Sequence, residues 1–187
     1  PAQQWMDDNQ WYQGTADAVH QSLDIIEGYS PEYVLILAGD HIYGMDYGEM
    51  LAAHVESGAN FTIACNAVPI EDAGELGIML VEDNGRILDF EEKPENPKPM
   101  PTNPYMAMAS MGIYVFSLEY LSEQLARDAA DDTSSHDFGK DVIPHALAHG
   151  DYVQAYRFKN PTQGGEPYWR DVGTIDAYYQ ANMELIS

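Results

Sequence analysis

Two aspartates, Asp40 and Asp171, stand where carboxylates could hold a metal ion together. Asp40 follows an apolar run over residues 33–38, which predicts a strand buried on both faces, as in a parallel sheet covered by helices. In open α/β sheets, ligands bind outside the carboxyl ends of such strands, and Mg²⁺ prefers carboxylate oxygens. Asp171 lies just before the last predicted helix. The two acids together predict a Mg²⁺ site, although each acid alone also fits a turn or a helix cap.

A lysine at the end of another predicted strand could bind a phosphate. Lys93 follows Glu91 and Glu92 and precedes Pro94. The ammonium group is a compact charge that suits a single phosphate, and the proline favours an extended backbone at Lys93. The alternative is a surface lysine that pairs with Glu91 or Glu92.

The rest of the chain predicts elements that alternate between helix and strand and would position these residues. Predicted helices begin at Thr15 and Thr174 and span 46–58, 119–130 and 142–149, and predicted strands span 33–38, 61–65, 78–81, 87–90, 111–116 and 153–158. Five prolines mark residues 94–104 as a loop. In the last helix, Tyr178 and Leu185 are predicted to face inward with Ala177 and Ala181. This succession predicts an α/β fold with a mostly parallel central sheet flanked by helices.

Charge and cysteine content exclude several classes of protein. The chain of 187 residues carries 31 acidic residues against 8 basic ones, a net charge of −23, so it should repel nucleic acid and anionic membranes. Its apolar runs are too short to span a bilayer. The single cysteine, Cys65, rules out a disulfide within the chain and is expected to be a buried core residue. These features favour a cytoplasmic protein.

Six stretches of the sequence occur in the order found in one enzyme family. They are residues 11–18, 37–43, 90–94, 109–116, 134–141 and 168–174. Each stretch alone is weak evidence, but together they cover nearly the whole chain. The sequence therefore resembles the bacterial glucose-1-phosphate adenylyltransferases, and the resemblance implies a Rossmann-like nucleotide-diphospho-sugar transferase fold. These enzymes transfer adenylyl from ATP to glucose 1-phosphate, giving ADP-glucose and pyrophosphate for glucan synthesis.

The resemblance also implies a role for individual residues. Asp40 and Asp171 would hold Mg²⁺ against the α-phosphate of ATP, and Lys93 would hold the sugar phosphate. Glu92 would accept hydrogen bonds from sugar hydroxyls. The other residues that the resemblance implies are Tyr12, Gly77, Ser110, Asp137 and Trp169 for glucose 1-phosphate, and Gly14 and Thr15, with Asp40, for the nucleotide.

The sequence departs from the family pattern at both ends. The family begins with a glycine-rich loop, bearing an arginine and a lysine, that embraces the triphosphate, and it continues past the last helix into a left-handed β-helix domain. Neither pattern is found in residues 1–187. We therefore expect these residues to be a partial nucleotidyltransferase catalytic domain that is inactive alone, and we expect the full-length form to be a homotetramer. Gln13 stands where bacterial relatives often carry arginine.

Two other functions remain open at this point. A non-catalytic regulatory subunit would keep the fold and bind sugar phosphate without turnover, although Asp40, Lys93 and Asp171 are all present here. A related enzyme that uses UTP, CTP or dTTP would share most of the same stretches, because nucleotide choice depends partly on the glycine-rich loop.

Overall fold

The computed structural model describes residues 11–158 and 168–185, which form eight strands and six α-helices. The strands are β1 (Tyr33–Ile36), β2 (His41–Tyr43), β3 (Phe61–Pro69), β4 (Gly77–Val81), β5 (Ile87–Glu92), β6 (Met106–Ser117), β7 (Val153–Arg157) and β8 (Trp169–Asp171). The helices are α1 (Thr15–His20), α2 (Leu23–Gly28), α3 (Tyr47–Ser57), α4 (Leu118–Ala129), α5 (Ile143–Ala148) and α6 (Ile175–Glu184). A 3₁₀ helix (Ile70–Glu75) follows β3, and a π-helical turn (Phe138–Val142) precedes α5. Among these residues, no helix combines the length and the apolar character that crossing a membrane requires.

Polar side chains fix where the longer helices begin. The Asp46 carboxylate accepts a hydrogen bond from the Gly48 N–H at 2.8 Å at the start of α3. Ser117 and Thr174 cap α4 and α6 in the same way. Gly58 ends α3 in the left-handed conformation, with φ of +64°, which glycine adopts without a Cβ penalty. These caps explain why the helix predicted over 46–58 forms where it does.

The central sheet has six strands and both strand directions. The hydrogen-bonded order is β5-β4-β6-β3-β7, with β1 pairing with another part of β6. β6 runs antiparallel to β1, β3 and β4, whereas β3 and β7 pair in parallel. It follows that β1, β3, β4 and β7 all run in one direction, opposite to β5 and β6. The predicted α/β fold is confirmed, and the sheet is mixed because β6 lies between strands that share a direction.

Two hydrophobic clusters cover the two faces of this sheet. Phe61 and Ile63 of β3 belong to one cluster, and Ala64, which points to the opposite face, belongs to the other. Phe61 stacks on Phe116 of β6 with ring centroids 4.7 Å apart. Residues of α4 and α5 complete the first cluster, and Met50 of α3 belongs to the second. The sheet is therefore flanked by helices on both faces, as predicted.

An irregularity in β6 shapes the face that carries the predicted site. The register between β3 and β6 shifts, so that Ile63 lies opposite Tyr114 while Cys65 lies opposite Ser110. Within this bulge, Gly112 has φ of +64°, and a Cβ there would lie 3.2 Å from the Cβ of Ala38. The bulge therefore brings β6 against the chain segment that leads to Asp40.

Strand β1 is not buried on both faces, which the sequence analysis predicted wrongly. Val34 and Ile36 pack against the first cluster, but Leu35 and Leu37 on the other face are 37% and 43% exposed. The reason is that β1 pairs only with β6 among the described strands and so lies at an edge of the sheet. An apolar run alone does not distinguish an edge strand from a central one.

Two predicted helical patterns also differ from the structure. The helix predicted to begin at Thr15 is divided into two short helices, α1 and α2. In α6, Ala181 is fully buried as predicted, but Tyr178 and Leu185 are 58% and 64% exposed. The helix packs against β8, a strand of three residues, which is too short to cover more than a narrow strip.

The buried histidine of α3 should make stability depend on pH. His54 is 3% exposed, and its Nδ1 lies 2.8 Å from the Thr62 hydroxyl oxygen. Burial lowers the pKa of His54 below its ordinary value, so the unfolded chain binds a proton more readily than the folded chain does. Stability should therefore be full above about pH 6.5 and should fall below it, by about 1.4 kcal/mol per pH unit at most, until the folded-state pKa is reached.

Urea denaturation at pH 7.5, 6.5 and 5.5 measures this dependence. The His54→Gln variant should lose part of the decline, whereas His20→Gln, changed at the end of α1, should keep it. An identical decline in the wild type and in His54→Gln would show that another group causes it.

Candidate functional site

The two predicted metal ligands lie together at one edge of the small sheet. β2 pairs antiparallel with β8, so that His41 lies opposite Asp171, and the Val172 N–H donates to the Asp40 carbonyl at 2.9 Å. One ligand atom from each of Asp40, His41 and Asp171 can be chosen so that all lie within 4.8 Å of one another. Backbone pairing between two distant parts of the chain therefore brings both carboxylates to one place.

A glycine keeps the space beside these carboxylates open. The Gly173 N–H donates to Asp171 Oδ1 at 2.7 Å. A Cβ at Gly173 would lie 3.1 Å from this oxygen and 3.6 Å from Asp40 Oδ2, so the two side chains approach the same stretch of bare backbone. The Asp40 side chain is 63% exposed and is accessible to a ligand from solvent.

The donor set fits a hard divalent cation. Two carboxylates offer the oxygen ligands that Mg²⁺ and Mn²⁺ prefer, with room for water or phosphate oxygens in the remaining positions. His41 Nε2 lies 3.7 Å from Asp40 Oδ1, and the imidazole ring packs edge-on against Trp169 with centroids 5.3 Å apart. His41 Nδ1 is buried and has no hydrogen-bond partner within the described part of the chain. These residues thus form a group that could bind a divalent metal ion.

The predicted acid of the sugar site, Glu92, lies at the end of β5 between two glycines. In the β4–β5 ladder Glu92 is paired with Gly77, and a Cβ at Gly77 would lie 2.9 Å from Glu92 Oε2. A Cβ at Gly139, in the π-helical turn, would lie only 2.5 Å from the same oxygen. The Glu92 carboxylate therefore rests in a cradle of bare backbone.

Burial raises the pKa of the Glu92 carboxyl above its ordinary value. The nearby charge of Asp137 adds to this rise, and the ammonium groups of Lys93 and Lys140 oppose it. A partly desolvated carboxylate with a second acid nearby is well suited to accept hydrogen bonds from hydroxyl groups of a ligand.

Ser110 and Tyr114 lie on the β6 bulge, near this cradle. Ser110 is 7% exposed, its hydroxyl oxygen accepts from the Gly112 N–H at 3.2 Å, and its side chain lies near the Tyr114 hydroxyl. Burial raises the pKa of the Tyr114 hydroxyl, and Glu92 and Asp137 add to the rise, which places this hydroxyl near both acids. Sequence reasoning missed Tyr114 because it treated residues 111–116 as an apolar strand. A phenol within such a run was the signal, because its hydroxyl needs a polar partner when buried.

Thr15 and Asp137, predicted for opposite halves of the site, are bonded to each other. The Thr15 hydroxyl donates to Asp137 Oδ2 at 3.0 Å and accepts from the Phe138 N–H at 3.0 Å. Asp137 Oδ1 accepts from the N–H groups of Gly139 and Lys140 at 2.9 and 3.1 Å, so this carboxylate also caps the π-helical turn. The segment predicted to meet the nucleotide is thus joined directly to the predicted sugar side.

Gly14 is needed where it stands because of a backbone contact. A Cβ at Gly14 would lie 2.3 Å from the carbonyl oxygen of His136 and 2.5 Å from that of Ser135. The His136 carbonyl also accepts from the Ala16 N–H at 2.8 Å, at the start of α1. The resemblance implies that Gly14 meets the nucleotide, and the contacts within the described chain also require a residue without a side chain there.

The backbone of Lys93 is not extended, contrary to the prediction from Pro94. Lys93 has φ of +48°, a left-handed conformation that is uncommon outside glycine. The chain bends directly after β5, and the Lys93 N–H donates to the Leu76 carbonyl at 3.1 Å. The Lys93 ammonium lies 3.8 Å from Glu75 Oε2, and both side chains are exposed. A surface ion pair is therefore present, with Glu75 rather than with Glu91 or Glu92.

The site residues thus fall into two groups. The first group surrounds the two carboxylates and consists of Asp40, Asp171, Trp169 and His41. The second group surrounds the Glu92 carboxylate and consists of Glu92, Gly77, Ser110, Asp137, Thr15 and Gly14, with Lys93 at its rim. Tyr12 is partly buried immediately before α1. The β6 bulge connects the groups, because Gly112 bonds to Ser110 and a Cβ there would lie 3.5 Å from the His41 ring.

Comparisons with known proteins identify relatives that are similar over the whole chain. The chain is 57% identical over 186 residues to glucose-1-phosphate adenylyltransferase 1 of Alkalilimnicola ehrlichii, covering 100% of this chain and 44% of that protein. It is 57% identical over 188 residues to the glucose-1-phosphate adenylyltransferase of Nitrosomonas europaea, covering 99% and 43%. The enzyme of the same name from Agrobacterium fabrum is also 57% identical, over 189 residues, with coverage of 99% and 45%.

The chain therefore spans less than half the length of these relatives. The resemblance predicted from the six stretches is confirmed, since these relatives match essentially all of the chain. Residues 1–187 also match the nucleotidyl transferase family from end to end. The chain belongs to the nucleotidyl transferase family.

Proposed function

We propose that residues 1–187 are the central part of an enzyme that transfers adenylyl from ATP to glucose 1-phosphate. The observation that carries this proposal is the convergence of Asp40 and Asp171, which are far apart in sequence, through the pairing of β2 with β8. The relatives of the same name support the choice of ATP and glucose 1-phosphate as substrates. The products would be ADP-glucose and pyrophosphate, for synthesis of a glycogen- or starch-like glucan.

In this reaction an oxygen of the glucose 1-phosphate attacks the α-phosphorus of ATP. The new bond joins that oxygen to the α-phosphorus, and the bond from the α-phosphorus to the bridging oxygen breaks, so that pyrophosphate leaves with its electron pair. A protein contributes to such a transfer mainly by positioning the reactants and stabilising charge. Asp40 and Asp171 would hold Mg²⁺ beside the α-phosphate, and the ion when bound neutralises phosphate charge.

The second group of residues would bind the sugar. Glu92 would accept hydrogen bonds from sugar hydroxyls, with Ser110 and Gly77 beside it, and Lys93 at the rim would bind the sugar phosphate through its ammonium group. Breaking the exposed pair of Lys93 with Glu75 would require little free energy, since such pairs contribute about 0–1 kcal/mol.

The remaining predicted residues would complete the two halves. Tyr12, Asp137 and Trp169 would shape the sugar side of the site. Asp137 would also hold the π-helical turn in place. Gly14 and Thr15 would meet the nucleotide. The hydrogen bond from Thr15 to Asp137 would then fix the distance between the nucleotide segment and the sugar pocket.

The proposal extends to the setting of the enzyme. We propose a cytoplasmic homotetramer for the full-length form, supported by the resemblance to the family. The net charge of −23 supports small-molecule substrates over nucleic acid or anionic membranes as partners.

The full-length protein should release pyrophosphate from ATP and glucose 1-phosphate in the presence of Mg²⁺, in equal amount to ADP-glucose. A coupled pyrophosphate assay measures this, and UTP, CTP and dTTP in place of ATP test the related enzymes. The chain of 187 residues alone should release none. A folded full-length protein that binds glucose 1-phosphate but releases no pyrophosphate would instead support the regulatory subunit.

The Asp40→Asn and Asp171→Asn variants should each bind Mn²⁺, a probe for the Mg²⁺ site, at least about tenfold more weakly than the wild type, because each removes one of two carboxylate ligands. Electron paramagnetic resonance of free Mn²⁺ measures the affinity. Asp176→Asn, changed at an exposed acid in the first turn of α6, is the control and should bind normally. In the full-length enzyme Asp40→Asn should lower mainly kcat. Equal affinity in all four proteins would contradict the site.

Lys93→Ala should raise the KM for glucose 1-phosphate by roughly 30- to 1000-fold, since losing a charge-assisted contact to a phosphate costs about 2–4 kcal/mol. The KM for ATP should change far less. Lys98→Ala is the matched control, because Lys98 is also an exposed lysine paired with an acid, Asp89. Steady-state kinetics of the full-length protein gives both constants. An equal rise in both KM values would mean that Lys93 does not serve the sugar phosphate.

A further inference from the structure

We propose that Gly139 is a positioning residue for the Glu92 carboxylate, a role that depends on the function proposed above only for its effect on catalysis. The absence of a side chain at Gly139 lets the carboxylate lie against the π-helical turn, where it can reach a bound sugar. Gly139 itself would touch neither substrate nor metal.

The geometry around Glu92 leaves no room for a side chain at position 139. A Cβ built on Gly139 would lie 2.5 Å from Glu92 Oε2 and 3.0 Å from Glu92 Cδ, closer than real Cβ atoms approach a neighbour. Gly77 faces the same oxygen from β4, with a Cβ distance of 2.9 Å. Both distances are to Oε2, so this oxygen lies between the bare backbone of β4 and that of the π-helical turn.

Gly139 is the more informative of the two glycines. A Cβ at Gly77 would also lie 2.5 Å from Phe90 Cζ, so a substitution there would disturb the core. At Gly139 the nearest atoms are the Glu92 carboxylate and, at 3.3 Å, the Asp137 carboxylate. The backbone of Gly139 is not in the left-handed region, so alanine can adopt its conformation. A substitution therefore acts mainly through Glu92.

The turn that carries Gly139 cannot easily move away. Asp137 Oδ1 holds the N–H groups of Gly139 and Lys140, and the Asp141 N–H donates to the Asp137 carbonyl at 2.9 Å. Gly139 itself is buried. Because the backbone is held on one side, the Glu92 side chain would be the part that gives way. Single-turn π-helical insertions often occur at functional sites, where they displace backbone toward a ligand.

Displacing a binding group by about 1 Å is enough to weaken a site of this kind, and such errors can reduce catalysis on the order of 100-fold. The charged and titratable groups that face the Glu92 carboxylate are Asp137, Lys93, Lys140 and Tyr114. Moving the carboxylate toward solvent would change its distance to all four at once.

The first test is Gly139→Ala in the full-length protein, with Gly28→Ala as control. Gly28 is also helical and is exposed. A Cβ added there would have no neighbouring atom within 4 Å. Gly139→Ala should raise the KM for glucose 1-phosphate by roughly 10- to 100-fold, leave the KM for ATP within about twofold, and leave Tm within a few degrees of the wild type. Gly28→Ala should change neither KM. Equal changes in both KM values, or none, would overturn the proposal.

A second variant separates positioning from a general disturbance. Glu92→Asp shortens the side chain by one methylene, so that an alanine at position 139 no longer meets the carboxylate at 2.5 Å. Each single change should raise the KM for glucose 1-phosphate, but the double variant should show a smaller rise than the product of the two single effects. The double variant should also fold if Gly139→Ala alone does not. Effects that multiply would show that Gly139 acts independently of Glu92.

The pKa of Glu92, measured without substrate, tests the positioning role of Gly139 separately from the proposed enzymatic function. Carboxyl ¹³C NMR of Glu92 should show a pKa raised by burial in the wild type and in Gly28→Ala, and a pKa closer to the ordinary value in Gly139→Ala. If that change occurs but no protein releases pyrophosphate, the positioning role holds and the proposed function fails. If the wild type is active but Gly139→Ala titrates and reacts as the wild type does, the positioning role fails.

Discussion

The rest of the site depends on the backbone pairing of β2 with β8, which holds two carboxylates side by side. Asp40 and Asp171 repel each other, and in a chain with a net charge of −23 no general excess of positive charge offsets this repulsion. The hydrogen bond from the Val172 N–H to the Asp40 carbonyl fixes the two segments, and Gly173 leaves open space beside the acids. A divalent cation between the two acids would neutralise their charge and receive an oxygen ligand from each.

The bulge in β6 joins this acidic pair to the pocket around Glu92. A regular β6 would keep the register that pairs Ile63 with Tyr114, and Ser110 would not lie opposite Cys65. The extra residues between Ser110 and Tyr114 turn the strand so that Gly112 lies against the His41 ring while Ser110 remains beside the pocket. Strands therefore set the distance between the acidic pair and the pocket around Glu92. Loops would fix this distance less accurately, because they are less rigid.

Uncommon backbone conformations cluster around the second group of site residues. Among the described residues other than glycine, positive φ angles occur at Ser30, Lys93 and His136. Lys93 follows Glu92 directly, and His136 precedes Asp137. Each such conformation costs of the order of 1–3 kcal/mol and persists only where the surroundings impose it. Both residues are held by contacts, since the Lys93 N–H donates to the Leu76 carbonyl and His136 Nδ1 lies 3.0 Å from Oδ2 of the buried Asp128.

The sequence was sufficient for the features that local pattern determines. Apolar runs located the core strands, the Asp46 cap located α3, and the motifs around Asp40 and Asp171 pointed to one metal site, whose two acids the structure brings together. Strand pairing could not be predicted from the sequence, because contacts between distant segments decide the register. The antiparallel position of β6 and the exposure of Leu35 were therefore not predicted.

The same limitation explains the errors of detail at the site. The rule that proline favours an extended preceding residue is a local tendency, and the bend that follows β5 departs from it at Lys93. Gly14 was assigned to the nucleotide from the resemblance, and only the fold shows that the His136 carbonyl oxygen lies against it. Tyr114 was missed because residues 111–116 fit an apolar strand, and only the fold brings its hydroxyl near Glu92 and Asp137.

A chain this poor in cations must bind phosphates in a particular way if the proposed function holds. Around Glu92 the described cations are the ammonium groups of Lys93 and Lys140, and both also face carboxylates. They could match one sugar phosphate but not a triphosphate as well. Within residues 1–187, the nucleotide would then be bound by a metal ion between Asp40 and Asp171 and by backbone N–H groups, in addition to the arginine and lysine of the glycine-rich loop that the family resemblance implies. The acidic pair is thus consistent with an anionic substrate, because its carboxylates would bind the cation that the substrate requires.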